Sequence, residues 1–353
     1  MQNPLACMQQ LIASYQGYER FSYIQKIEPY LGTNLIKVIT GQRRCGKSYI
    51  MRSIIKRLGE KLQRNVLYIN YEIDDFTKLN TKDSLLAFFT DEFLPQTDPQ
   101  QHLYVFLDEV QECVGWEKVV TSLLATYTDH LDIVISGSNS HLLSSELSTY
   151  LSGRYVEFLV LPFLFDEYLA FAQTTDDLMG YLKKTGMPEA IKLQKTGNSE
   201  MLINYFRSLQ ATIILKDIVQ RWQIKDAFLL ERLFLFLVDN TGNFFSLNAI
   251  VTAMHDVGVV TNHNTLGTYL GYLESTYVVY GVTKYDLKGK KIFQTEKKYY
   301  LNDLGRKNYL TSNYDLGLGR SLENYVFLLL KRYGYQVFVG KVKTTEIDFI
   351  ANK

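Results

Sequence analysis

The stretch that most constrains this chain is Gly41-Gln42-Arg43-Arg44-Cys45-Gly46-Lys47-Ser48, set directly behind the apolar run Leu35-Ile36-Lys37-Val38-Ile39. It fits the phosphate-loop pattern G-x-x-x-x-G-K-[ST] at every fixed position and predicts strand, glycine loop and helix in that order. Glycines let the backbone curl so that successive N–H groups point inward at a polyphosphate. The helix that follows, from about Lys47 through Leu58, adds the positive end of its dipole. On this reading Lys47 reaches the β- and γ-phosphates, and the Ser48 hydroxyl ligates Mg2+. The alternative is a glycine turn before a helix with a surface lysine; the strand in front and the helix behind argue against it.

A loop of this kind needs a second element, an apolar strand ending in a carboxylate that holds the magnesium shell. Leu103-Tyr104-Val105-Phe106-Leu107-Asp108-Glu109 has that shape. A buried parallel strand is apolar throughout because helices cover both faces, and its C-terminal edge opens onto the site. Asp108 is expected to hold Mg2+ through water, and Glu109 to orient or deprotonate the attacking water. A third strand, Leu131-Asp132-Ile133-Val134-Ile135-Ser136, runs into Gly137-Ser138-Asn139-Ser140. Asn139 or Ser138 is the candidate sensor of the γ-phosphate; the alternative is a polar turn capping a helix over His141–Glu146.

Arg43-Arg44-x-Gly46-Lys47-Ser48, Leu107-Asp108-Glu109-Val110-Gln111, Ser136-Gly137-Ser138-Asn139-Ser140, Leu151-Ser152-Gly153-Arg154 and Leu161-Pro162-Phe163-x-Phe165-x-Glu167-Tyr168 follow one another in order. This ordered set resembles a family of bacterial and archaeal AAA+-type P-loop ATPases. The resemblance spans nearly the whole chain. It implies an ATPase domain, a winged-helix region and a C-terminal domain of unknown function that resembles restriction endonucleases. It also implies ATP with Mg2+ as the bound nucleotide, and no guanine-selecting N-K-x-D run is visible. In related ATPases an arginine past the sensor strand reaches a γ-phosphate in its own subunit or a neighbour's, and Arg154 holds a suitable place in the order. The alternative is an arginine paired with a surface acid such as Glu157. Arg43 and Arg44 are phosphate contacts or surface residues. Cys45 and Tyr49 join the binding residues by position, although Cys45 reads first as a small buried filler.

The chain has 353 residues, which suggests two or three domains, and 46% apolar residues, enough for real cores. No apolar run reaches the ~18 residues that span a bilayer. Met1–Gln10 is neither basic nor followed by a signal-type core, so export is not expected. Cys7, Cys45 and Cys113 are scattered and form no metal or disulfide pattern, which fits a reducing cytoplasm. Net charge is +1, but residues 281–353 hold 14 Lys/Arg against 7 Asp/Glu. Basic residues gathered at one end attract phosphate backbones, though spread over 73 residues they are not a strong patch.

Changes of pattern give the domain plan. Residues 1–165 read as the ATPase domain, an α/β parallel sheet with strands near 35–40, 66–70, 104–108, 132–136 and 156–160. Residues 166–225 read as a helical lid or linker. Residues 226–301 give helices at Ala227–Asp239, Ser246–Asp256 and Asn264–Ser275, then strands at Tyr277–Thr283 and Ile292–Leu301 around the basic turn 288–291. That is the order of a winged helix, which reads DNA with its third helix or serves as a protein contact. The third helix carries no Arg or Lys, which argues against DNA reading.

Residues 302–353 read as a partial endonuclease-like α/β domain. The resemblance matches Glu323 on a helix and Asp348 on a strand to acids that bind Mg2+ in such enzymes. The Glu-x-Lys that completes those sites on the following strand does not occur between Asp348 and Lys353, so no nuclease activity is expected of these residues. The expectation as a whole is a cytoplasmic ATPase whose nucleotide state controls its appended modules. The alternative is a nucleotide-dependent, protein-recruiting scaffold with little turnover. Double-stranded DNA, a protein at the winged helix and self-association all stay open as partners.

Overall fold

A computed structural model of the protein describes residues 4–143, 151, 153–286, 291–310, 317–342 and 345–353. The chain divides into two compact units, one of residues 1–41 with 46–160 and one of residues 42–45 with 161–353.

The first unit is built on five parallel strands: β1 (Ile36–Thr40), β2 (Val66–Asn70), β3 (Leu103–Asp108), β4 (Leu131–Gly137) and β5 (Tyr155–Leu159). Their order across the sheet is β2-β3-β4-β1-β5. β1 and β4 are buried at every position. A strand covered on both faces is selected for continuous apolar character rather than alternation, so the sequence locates these strands within a residue or so. The helix Lys47–Leu58 buries Ile50, Met51, Ile54 and Ile55, the spacing of one helical face. The register pairs Thr40 with Gly137, Leu107 with Ile135, and Asn70 with Asp108. Because all five strands run the same way, the residues that follow β1, β3 and β4 emerge at one edge.

The second unit begins with helices at Phe165–Ala172, Leu178–Leu182, Pro188–Gln194 and Ser199–Thr212; the last continues as a π-helical stretch, Ile213–Gln220. Helix Ala227–Asp239, strand β6 (Phe244–Ser246), helices Leu247–Asp256 and His263–Ser275, and the antiparallel pair β7 (Val279–Asp286) and β8 (Lys291–Leu301) follow. A core centred on Phe206, Leu233, Phe234, Leu266 and Leu273 joins these helices. After helices Gly305–Leu310 and Leu318–Arg332, strands β9 (Gln336–Val342) and β10 (Thr345–Asn352) complete a mixed sheet of order β10-β9-β7-β8-β6. β9 runs parallel to β7, and the other pairings are antiparallel.

Residues 288–290 of the expected basic turn at 288–291 and residues 144–146 of the expected helix at 141–146 lie outside the described residues; Ser140–Leu143 forms a 3-10 turn. Among the described residues, no helix is long and apolar enough to cross a membrane.

Candidate functional site

The loop after β1 turns through three left-handed residues, Gly41 at φ +141°, Arg44 at φ +65° and Gly46 at φ +103°. Gly46 is the N-cap of helix Lys47–Leu58 and gives it no side-chain cap. The first turn of such a helix carries N–H groups with no intrahelical acceptor, which suits an anion. Lys47 folds back across the loop, and its Nζ donates to the Gly41 carbonyl at 3.1 Å. The same ammonium lies 3.1 Å from Glu109 Oε1, with both side chains nearly buried.

Asp108 ends β3 fully buried. Ser136 Oγ donates to its Oδ1, while Tyr68 Oη (3.0 Å) and Asn70 Nδ2 (3.2 Å) donate to Oδ2. Burial and the neighbouring Glu109 charge push the Asp108 carboxyl above its usual value; hydrogen bonds from Ser136 and Ser48, and the Lys47 charge, oppose them. Ser48 and Asp108 therefore meet, the pairing the loop motif requires.

Glu109 takes the left-handed conformation at φ +55°. A non-glycine residue there carries about 1–3 kcal/mol of backbone strain. That turn redirects the chain out of β3, and the Glu109 N–H is taken by Ser136 Oγ at 3.1 Å. Ser138 and Asn139 follow β4 at the same edge, buried at 3% and 1% exposure. Gln111 adds its amide, with Nε2 2.5 Å from Glu109 Oε2 and 3.5 Å from Ser138 Oγ.

The remaining expected site residues fall elsewhere. Arg43 belongs with the second unit, where its Nε and Nη2 each donate to the Asp217 carboxylate at 2.9 Å. Its guanidinium is thus engaged by a protein carboxylate. Gln42 in the same segment accepts from Asn302 Nδ2 at 3.2 Å. Arg44 is exposed and Cys45 is fully buried. Tyr49 is 44% exposed, and the Arg52 guanidinium lies 4.6 Å from its ring centre.

Arg154 is not brought to this edge. Its carbonyl accepts from the Ile36 N–H, at the opposite end of β1 from the loop. Five strand residues separate the two ends, roughly 15 Å, so the expected γ-phosphate contact within one subunit is not made.

In the second unit, Glu323 and Asp348 do converge, joined by Glu346: one carboxylate oxygen from each lies within 4.8 Å of the others. Lys298 Nζ bridges Glu323 at 2.9 Å and also pairs with Glu346, while Tyr300 Oη donates to Glu323 at 2.6 Å. Sequence reasoning missed Ser136, Tyr68, Asn70, Lys298 and Tyr300, because each becomes relevant only through strand pairing. Gln111 was legible, standing two residues past Glu109 in a motif already singled out.

A family model described as an AAA domain matches residues 33–169, and a model for a domain of unknown function matches residues 175–318. An uncharacterised protein of Haemophilus influenzae is 34% identical over 343 residues, covering 95% of this chain and 84% of that protein. An uncharacterised protein of Methanocaldococcus jannaschii is 29% identical over 345 residues, covering 92% and 74%. A Walker-type ATPase of Pyrococcus abyssi shares the fold with a TM-score of 0.57 at 15% identity, over 85% of this chain and 99% of that one.

Proposed function

The chain belongs to the family of the Haemophilus influenzae protein, with an AAA-type P-loop domain at residues 33–169, and on that premise we propose that it binds ATP with Mg2+ and hydrolyses it. The observation that carries the reading is the meeting of the loop with the acidic pair: Lys47 spans from Gly41 to Glu109, and Ser48 reaches Asp108.

The donor set suits a hard divalent cation, since a hydroxyl and a buried carboxylate are the oxygen ligands Mg2+ prefers. Ser48 and Asp108 would hold it. When bound it supplies charge neutralisation at the β- and γ-phosphates. Lys47 binds the same phosphates from the other side, exchanging its Glu109 neighbour for the nucleotide. Glu109, released from that ion pair, accepts a hydrogen bond from the attacking water and takes one proton from it as its oxygen bonds to phosphorus. Ser138 and Asn139 stand at the edge where the γ-phosphate arrives.

The order of helix, β6, two helices and the β7–β8 hairpin supports a winged-helix reading of residues 226–301. Residues 302–353 fit the partial endonuclease-like reading, with Lys298 as counter-ion to its acids. We propose that nucleotide state controls these modules. One observation favours the recruiting-scaffold alternative: helix His263–Ser275 holds no Lys or Arg with which to grip phosphate.

Phosphate release from the purified chain, with and without duplex DNA, tests both readings. Turnover that Glu109→Gln lowers about a hundredfold while ATP binding persists supports the water role. Lys47→Ala should raise the ATP Kd about 10–100-fold, the worth of a charged hydrogen bond. Unchanged affinity would refute the site. DNA stimulation favours DNA handling, whereas tight binding with negligible release favours the scaffold.

A further inference from the structure

We propose that Gln111 is a positioning residue for Glu109, one that ties its carboxylate to the segment after β4; this rests on the ATPase reading above. The Gln111 amide lies between two strand ends. Its Nε2 donates to Glu109 Oε2 at 2.5 Å and lies 3.5 Å from Ser138 Oγ. Its Oε1 is buried, without a hydrogen-bond partner among the described residues. Turning the amide over would set that oxygen against the Glu109 carboxylate, so the charge of Glu109 fixes the orientation.

The same oxygen accounts for a glycine. A Cβ on Gly137 would stand 2.6 Å from Gln111 Oε1, and closer still to Leu142 Cδ1. The chain leaves room at the end of β4 for a glutamine that begins beyond β3. A side chain serving only to fill space does not need its amide nitrogen on a carboxylate or leave its carbonyl oxygen unsatisfied in the interior.

The charged neighbours of Glu109 include Lys47 and Asp108. An arriving triphosphate draws Lys47 away, and the Gln111 amide still holds Glu109 Oε2 in its direction. Contact with Ser138 makes that direction depend on what occupies the sensor segment. Gln111 touches neither phosphate nor water in this scheme; it acts through Glu109.

The test compares the unaltered chain with Gln111→Ala and the isosteric Gln111→Glu. Folding is checked by circular dichroism, affinity with a fluorescent ATP analogue, and kcat between pH 6 and 8.5. Gln111→Ala should bind nucleotide within twofold of the unaltered chain and lose at least tenfold in kcat. Gln111→Glu sets two carboxylates together, and the fraction of molecules in which the pair shares a proton grows as pH falls, which recreates the donor. Its kcat relative to the unaltered chain should climb on acidification, which a space-filling role would not produce. A Gln111→Ala kcat within twofold of normal, or a pH-independent Gln111→Glu ratio, overturns the inference and leaves the ATPase reading standing. Absence of turnover in the unaltered chain removes both.

Discussion

The ammonium of Lys37 and the carboxylate of Asp132 form an ion pair in which neither side chain is exposed. Lys37 also donates to the Thr33 carbonyl at 3.2 Å, and Asp132 accepts the Gly32 N–H at 2.5 Å. Burial pushes the Lys37 pKa below its ordinary value, although Asp132 opposes the shift. Removing one partner leaves a buried charge unmatched, which costs about 3–5 kcal/mol. Lys37→Met and Asp132→Asn should each lose that much in guanidinium denaturation. The double variant Lys37→Met/Asp132→Asn should lose much less than the two losses added, and a purely additive cycle would refute the coupling.

Arg43 and Asp217 are joined by two parallel hydrogen bonds, each side chain 8% exposed. A planar guanidinium matches a carboxylate in a way an ammonium does not. Arg43→Lys should therefore recover little of what Arg43→Ala loses, about 3 kcal/mol by thermal or chemical unfolding. A lysine variant as stable as the unaltered chain would show that charge alone suffices.

Asp108 is predicted to cost the nucleotide-free protein stability. Its folded pKa is raised, so between the ordinary value of 3.8 and that raised value the folded state holds a proton the unfolded chain has lost. Stability on this account falls as pH rises through the window. Asp108→Asn removes the term, and should melt on the order of 2 °C higher than the unaltered chain at pH 7. The advantage should vanish below the window. A variant that melts lower at pH 7 would contradict the burial argument.

All three cysteines, Cys7, Cys45 and Cys113, are free and buried. A thiol-titrating dye should find fewer than one reactive group per native chain and three after guanidinium is added. Burial also pushes the Cys7 and Cys113 thiols up, holding them in the unreactive protonated form. Rapid native labelling of Cys45 would show that the loop opens.

The parallel sheet was legible because its strands are nearly unbroken apolar runs, and the loop because its glycines and lysine have fixed spacing. The place of Asp108 and Glu109 at the end of β3 could be read from the apolar run that precedes them. What surrounds them could not, since Ser136, Tyr68 and Asn70 come from neighbouring strands whose order no local pattern encodes. Lys37 and Asp132 left a faint trace as opposite charges in two otherwise apolar strands. The place of Arg154 was hidden for a related reason: order along the chain puts it after the sensor strand, but β5 begins at the end of the sheet away from the loop. In the second unit the helices followed their periodicity, whereas the convergence of Glu346 with Glu323 and Asp348 depends on how β9 and β10 pair.

The strand order also sets a timetable for synthesis. β1 lies between β4 and β5, so the segment that leads into the phosphate loop has no sheet partner until residues 131–159 have been translated. At about 5–20 residues per second a ribosome leaves it waiting for several seconds. During that interval Ile36, Val38 and Ile39 form an adhesive ribbon in the nascent chain, and a chaperone that shields apolar segments would find its first customer there.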